Sequence, residues 1–83
     1  MEYRQLFTTL KIMGWVNNGN GVTMIYSPII DNKQFRVHAD KNYTFYLAVK
    51  DIHDKKHIWI DLYPRDVHTG EEIIEKVNAL SET

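Results

Sequence analysis

The chain is 83 residues long, which leaves room for one hydrophobic core, so we expect a single domain spanning residues 1–83. Its formal net charge of -1 argues against a protein that gains most of its affinity by neutralising nucleic-acid phosphates. The absence of cysteine excludes a disulfide framework, a thiolate zinc site and a thiol nucleophile.

The first predicted element is an amphipathic helix over roughly residues 2–13. Apolar side chains recur there at the spacing of one helical face, at Tyr3, Leu6, Phe7, Leu10 and Met13. Gly14 follows directly and can adopt the left-handed conformation that ends a helix. The Asn- and Gly-rich run from Asn17 to Gly21 then predicts a flexible loop, because these residues favour turns over regular structure.

Four strands are predicted next, since apolar and polar side chains alternate between short turn signals. The predicted strands cover residues 22–30, 34–38, 45–50 and 58–63. Pro64 should end the fourth strand because proline cannot donate a backbone hydrogen bond to a neighbouring strand. The short turns favour an antiparallel meander.

A second amphipathic helix is predicted over residues 70–81. Its start carries the capping-box pattern Thr69-Gly70-Glu71-Glu72, in which the first and last side chains bond to each other's backbone amides. Its apolar stripe consists of Ile73, Ile74, Val77 and Leu80. Because each helix has one apolar stripe, both should pack on one sheet face. We therefore predict an α+β, two-layer domain with a four-stranded antiparallel meander and the order α-β-β-β-β-α.

Strand alternation assigns each side chain to one of the two sheet faces. The face predicted to meet the helices carries Val22, Met24, Tyr26, Phe35, Val37, Phe45, Leu47, Val49, Ile58, Ile60 and Leu62. The other face carries Thr23, Ile25, Ser27, Arg36, His38, Thr44, Tyr46, Ala48, Lys50, Trp59, Asp61 and Tyr63. On this second face we predict a binding site made of Ile25, Arg36, His38, Tyr46, Lys50, Trp59 and Tyr63.

Several functions fit such a face. Tyr, Trp and Arg concentrate where protein interfaces gain their energy. The leading hypothesis is therefore a small non-enzymatic regulator, such as an inhibitor encoded by a phage or mobile element, that binds a protein partner or a second copy of itself. The second hypothesis is single-stranded RNA binding, with the aromatic rings stacking on bases while Arg36 and Lys50 contact phosphates. The aromatic residues could instead only stabilise the sheet. A small enzyme of unknown class is the third functional hypothesis.

The sequence contains few residues that indicate catalysis or metal binding. His53 and His57 flank Asp54 in a predicted turn, where they could hold at most an adventitious metal ion. His38 lies beside Arg36 without a nucleophile or carboxylate that the sequence places next to it. No nucleotide-binding glycine motif or nucleophile-elbow motif occurs. We therefore predict no catalytic residues, no metal site and no cofactor.

Residues 6–39 resemble the start of the HicA toxin family. The resemblance is carried by the segments Leu10–Trp15, Gly21–Pro28 and Phe35–His38. HicA proteins are small toxins with a double-stranded-RNA-binding-like fold that cleave mRNA with a His on the first strand. Here the family's Gly-Ser-His is replaced by Gly21-Val22-Thr23, which lacks that His, so the resemblance implies a related topology without nuclease activity.

The sequence also leads us to expect a soluble, cytoplasmic protein. The first fifteen residues lack the basic segment, long apolar core and small-residue cleavage site of a secretory signal. No later segment approaches the roughly 18 apolar residues that a membrane-spanning helix needs.

Overall fold

The structure is a computed structural model that describes residues 2–17, 24–40, 42, 44–56, 58–63 and 68–81. Its elements are α1 (Tyr3–Ile12), β1 (Met24–Tyr26), β2 (Lys33–Ala39), β3 (Phe45–Asp51), β4 (Ile60–Leu62) and α2 (Gly70–Ser81). The strands form one antiparallel sheet in the order β1-β2-β3-β4. The predicted fold class and element order are confirmed. Most of the predicted loop, the predicted start of the first strand at Val22 and Thr23, and Pro64 lie outside the described residues.

The end of α1 shows why the chain leaves the helix at Gly14. The Gly14 amide donates to the Lys11 carbonyl and the Trp15 amide donates to the Leu10 carbonyl, each at 3.0 Å. This pair of bonds is the Schellman motif, which needs a residue with positive φ, and Gly14 has a φ of 96°. The motif also directs Trp15 back onto the helix, and its side chain is buried in the core.

The start of α2 has the predicted capping box. The Thr69 hydroxyl accepts a hydrogen bond from the Glu72 amide at 3.2 Å. The Glu72 carboxylate in turn accepts from the Thr69 amide at 3.2 Å and from the Thr69 hydroxyl at 2.8 Å. These bonds, led by the one from the hydroxyl, hold the pKa of Glu72 below its ordinary value.

Neither described helix is long and apolar enough to cross a membrane.

Both helices pack on the same face of the sheet and form one core with it. The buried residues of this core are Leu6, Phe7, Leu10, Trp15, Ile25, Phe35, Val37, Ala39, Phe45, Leu47, Ile73 and Val77. Residues Leu6 and Leu10 of α1 and Ile73 of α2 are fully shielded from solvent, as are Val37 and Leu47 of the two central strands. The two-layer arrangement therefore places the helices against the middle of the sheet.

The predicted face assignment of β1 is wrong. Ile25 pairs with Val37 and is fully buried in the core, whereas Met24 and Tyr26 pair with His38 and Arg36 on the other face. The error has a physical reason: β1 is apolar at every position, so alternation does not distinguish its faces, and only the register with β2 decides. Ile25 is therefore a core residue and does not belong to the binding site that the sequence predicted.

Ser27, which directly follows β1, was assigned to the second face and also lies in the core. It is buried, and its backbone amide donates to the Phe35 carbonyl at 2.8 Å. Its hydroxyl accepts from the Phe35 amide at 2.8 Å and donates to the Pro28 carbonyl at 2.7 Å. Since these bonds satisfy the hydroxyl, burying this polar side chain costs little.

The predicted burial of β4 is also wrong. Ile60 pairs with Val49 and therefore lies on the helix side of the sheet, but 61% of its surface is exposed. Ile58 is likewise exposed, and only Leu62 is packed against the core. The alternation was correct in direction, but the helices do not extend over this part of the edge strand.

Candidate functional site

The sheet face opposite the helices, here called the open face, is defined by Met24, Tyr26, Gln34, Arg36, His38, Tyr46, Ala48, Lys50, Trp59 and Asp61. The pairing register arranges these residues in rows across the strands. One row joins Met24, His38 and Tyr46. The next joins Tyr26, Arg36, Ala48 and Asp61. Gln34 and Lys50 begin a third row, which Trp59 continues beside β4.

Trp59 lies at the centre of the open face. Its indole lies 4.6 Å from the Arg36 guanidinium carbon and 5.1 Å from the Lys50 ammonium nitrogen. Its ring centroid is 5.8 Å from that of Tyr26. Because Arg36 belongs to β2 and Tyr26 to β1, the indole must reach across β3. The small side chain of Ala48, which is fully buried, leaves the room for this crossing.

The Arg36 guanidinium is held in place but is not fully bonded. Its contact with the Trp59 indole is a cation–π interaction, of the order of 0.5–1 kcal/mol at an exposed site. Its Nε atom is buried and has no hydrogen-bond partner among the described residues. A buried donor without an acceptor costs about 1–3 kcal/mol. The open face therefore contains a fixed cation with an unsatisfied donor.

A column of aromatic rings forms the other half of the open face. His38 stacks on Tyr46, with ring centroids 5.0 Å apart and an interplanar angle of 22°. A third ring, that of His68, forms a T-shaped contact with Tyr46, with ring centroids 5.3 Å apart and an interplanar angle of 64°. The Tyr46 hydroxyl donates to an Asp40 carboxylate oxygen at 3.4 Å, and His68 Nδ1 lies 3.3 Å from the Phe45 carbonyl oxygen. These contacts hold the Tyr46 ring in place.

Burial, hydrogen bonds and nearby charges set the protonation of His38 and Asp40 beside this column. Burial lowers the pKa of His38, and the positive charge of Arg36 lowers it further, while Asp61 and Asp40 partly oppose the shift. The Asp40 carboxylate accepts from the Thr44 and Asn42 amides at 2.9 Å each, and these bonds, led by that of Thr44, lower its pKa. His38 is therefore neutral at pH 7, and Asp40 is ionised.

The lowered pKa of His38 should make stability depend on pH. Above its ordinary value of 6.5, His38 is neutral in both states and imposes no penalty. Below that value the unfolded chain binds the proton more readily than the folded one, so stability is lost until the folded pKa is passed. His38→Phe keeps a ring on Tyr46 and does not titrate, so it should lose less stability than the wild type between about pH 7.5 and about pH 5.5.

Urea denaturation at the two pH values measures this difference, and His53→Gln, in an exposed turn, is the matched control. An equal loss of stability in the wild type and in His38→Phe would show that His38 does not carry the effect.

The structure brings together five of the seven predicted site residues: Arg36, His38, Tyr46, Lys50 and Trp59. Ile25 is in the core, as described above, and Tyr63 also departs from the face. Tyr63 has a φ of 52°, which breaks the alternation of β4, and its ring lies 4.8 Å from the Lys76 ammonium nitrogen of α2. Tyr63 therefore lies on the helix side, and its predicted place in the site is wrong.

Sequence reasoning missed three residues that contact the site. Tyr26 was assigned to the core, and the register of β1 moves it to the open face beside Trp59. Asp40 and His68 come from the segments that follow β2 and precede α2, and each contacts Tyr46. An Asp at a turn could have been recognised as an acceptor for turn amides. No sequence signal placed His68 here, because its position depends on the path of the chain after β4.

Metal chemistry gains no support from the described residues. They contain no group of three or more His, Cys, Asp or Glu side chains that could hold a metal ion. His53 is exposed in the turn after β3, and His57 lies outside the described residues.

Comparison with protein-family models, curated protein sequences and solved structures finds no match. The resemblance to the HicA family therefore gains no support and carries no further argument. What this chain does must be inferred from the geometry of its own surface.

Proposed function

We propose that this chain is a non-enzymatic interaction protein that binds a protein partner through its open face. Trp59, Arg36 and Tyr26 form the centre of the proposed interface. Residues of these types dominate the energy of protein interfaces when they are clustered at the middle of a patch. Lys50, His38 and Tyr46 surround them on the same face.

The observation that carries the proposal is the Arg36 guanidinium, whose carbon the Trp59 indole holds 4.6 Å from its ring centroid in the middle of the open face. Binding usually costs about 0.5–1.5 kcal/mol for each long side chain that becomes immobilised. The indole already holds Arg36, so part of this cost is met before a partner arrives. A carboxylate or carbonyl oxygen of a partner would accept hydrogen bonds from the terminal guanidinium nitrogens, and such charge-assisted bonds are stronger than those between neutral groups.

The open face suits a protein better than single-stranded RNA. Base stacking needs an aromatic ring with a free face, and the Tyr46 ring is occupied by His38 on one side and contacted by His68. The Trp59 ring is contacted by two cationic side chains and by Tyr26. Two carboxylates, of Asp40 and Asp61, lie close enough to His38 to influence its pKa. These two carboxylates would repel phosphates that approach this part of the face.

The double variant Trp59→Ser, Tyr46→Ser tests this proposal. Affinity capture from the native host with the tagged wild-type chain should retain a protein, and the double variant should lose it. Both side chains point away from the main core, so circular dichroism should still show a folded domain. The matched control is Ile12→Ser, Ile29→Ser, which removes two exposed apolar side chains outside the open face and should retain the partner.

Retention of the same protein by the double variant would contradict the proposal. Capture that is abolished by ribonuclease, together with salt-dependent binding, would instead support the RNA hypothesis. If the double variant fails to fold, Arg36→Gln with Lys50→Gln replaces it, because these changes remove the two cations next to Trp59 and leave its ring in place.

A further inference from the structure

The two edges of the sheet are not equivalent. At the outer edge of β1, the Val16 amide donates to the Tyr26 carbonyl at 2.8 Å and the Tyr26 amide donates to the Val16 carbonyl at 2.9 Å. At the outer edge of β4, no backbone hydrogen bond is formed by the described part of the chain. Exposed Ile58 and Ile60 lie along this second edge. An unpaired apolar edge is a template for another strand, and proteins that avoid pairing usually protect it.

The alternation of hydrogen bonds across the sheet shows which backbone groups of β4 point outward. The Ser27 amide donates to the Phe35 carbonyl, so every second residue of β2, counted from Phe35, bonds to β1. The β2 residues between them, such as Arg36, bond to β3, so their partners in β3, such as Ala48, bond to β2. The remaining β3 residues, such as Val49, therefore bond to β4, and Ile60, the partner of Val49, directs its backbone groups toward β3. Asp61 therefore directs its N–H and C=O away from the sheet, and Trp59 does so by continuation of the register.

We propose that β4 pairs antiparallel with β4 of a second copy of this chain, about a two-fold axis at Ile60. Trp59 of each copy then lies opposite Asp61 of the other, and their outward backbone groups form hydrogen bonds in both directions. Ile60 lies opposite its counterpart in the second copy, at the closer spacing of a pair without mutual hydrogen bonds. Ile58 lies opposite Leu62, so the helix side of the joint is apolar on both copies.

Charge and backbone geometry select this register over its neighbours. A two-fold axis at Asp61 would place two carboxylates directly opposite each other, which is destabilising, and would need Tyr63 to continue a strand that its φ of 52° ends. An axis at Trp59 would place the apolar Leu62 opposite Lys56, which lies in the turn before β4. With the axis at Ile60, the Asp61 carboxylate of one copy faces Trp59 of the other, and the Lys50 ammonium lies 5.1 Å from that indole. Opposite charges therefore meet across the joint.

Such a dimer would form one continuous sheet from both copies. The two-fold axis stands perpendicular to the sheet, so the two open faces lie side by side on the same surface. The inference rests on the edge of the sheet and goes beyond the proposed function, which rests on its face. A dimer would present two partner-binding faces at once.

The oligomeric state of the purified full chain tests the inference. Sedimentation equilibrium from about 1 µM to about 1 mM should show a reversible monomer–dimer equilibrium for the wild type. Ile60→Lys should give only monomer, because it places a charge opposite its own copy at the centre of the joint. Ile60 is exposed in the monomer, so the variant should fold. Ile12→Lys, at an exposed position on α1, is the matched control and should dimerise like the wild type.

A second variant keeps the test independent of any folding defect in the first. Asp61→Pro removes an outward N–H to which no described residue of the monomer bonds. Proline is tolerated on edge strands, so this variant should also be monomeric. A wild type that stays monomeric up to about 1 mM, or dimers that survive both edge variants, would overturn the inference. Tyr46→Ser, away from the edge, should leave the dimer intact while weakening partner capture, so the two proposals can fail separately.

Discussion

Leu47→Ala should lower the free energy of unfolding by about 2–5 kcal/mol, the range found when a fully buried leucine is truncated. Leu47 lies in the middle of β3, between Val37 of β2 and Leu62 of β4, and none of its surface is exposed. Helix α2 packs against β3, so the space left by the lost carbons is enclosed and should not collapse completely. Urea denaturation followed by circular dichroism measures the change.

Ile60→Ala is the matched control for Leu47→Ala. Ile60 lies on the same side of the sheet, but with 61% of its surface exposed its truncation should cost no more than about 0.5 kcal/mol. The measurement should be made at low protein concentration, where dimerisation does not contribute. Comparable losses at both positions would mean that the helices extend over β4, and a small loss at Leu47 would mean that it is not in the core.

The local pattern predicted most of the fold but not the extent of the helix layer. The end of α1 and the start of α2 were predictable because Gly14 and the Thr69-to-Glu72 capping box stabilise them through hydrogen bonds within a few residues. The strand order was predictable because short turns leave antiparallel neighbours as the simplest arrangement. Whether Ile60 is covered depends on where distant helices dock on the sheet, and alternation contains no information about that.

The candidate site was predictable where the strands carry a clear alternation. β2 and β3 alternate strongly, so Arg36, His38, Tyr46 and Lys50 were placed on the correct face. The crossing of β3 by Trp59 was not predictable, because it depends on the three-dimensional neighbourhood of the small Ala48 side chain. The prediction of the site failed at Tyr63, whose backbone geometry is unusual for a strand. Its positive φ turns Tyr63 away from the open face, and no sequence pattern around it predicts that φ.

Ile25→Ala should also destabilise the domain by about 2–5 kcal/mol, whereas Met24→Ala should cost about 1 kcal/mol or less. The two residues are neighbours on β1, so the comparison isolates the face on which each side chain lies. Ile25 is fully buried opposite Val37, and Met24 is 36% exposed on the open face opposite His38. The face assignment made from the sequence predicts the reverse order, so the pair tests the register directly.

Equilibrium denaturation of both variants, with the slope against urea concentration checked for two-state behaviour, gives the comparison. A larger loss for Met24→Ala than for Ile25→Ala would mean that β1 is shifted by one residue against β2. That shift would return Tyr26 to the core and remove it from Trp59, leaving the open face without its β1 residues. A larger loss for Ile25→Ala than for Met24→Ala would therefore also support the Tyr26–Trp59 contact at the centre of the proposed interface.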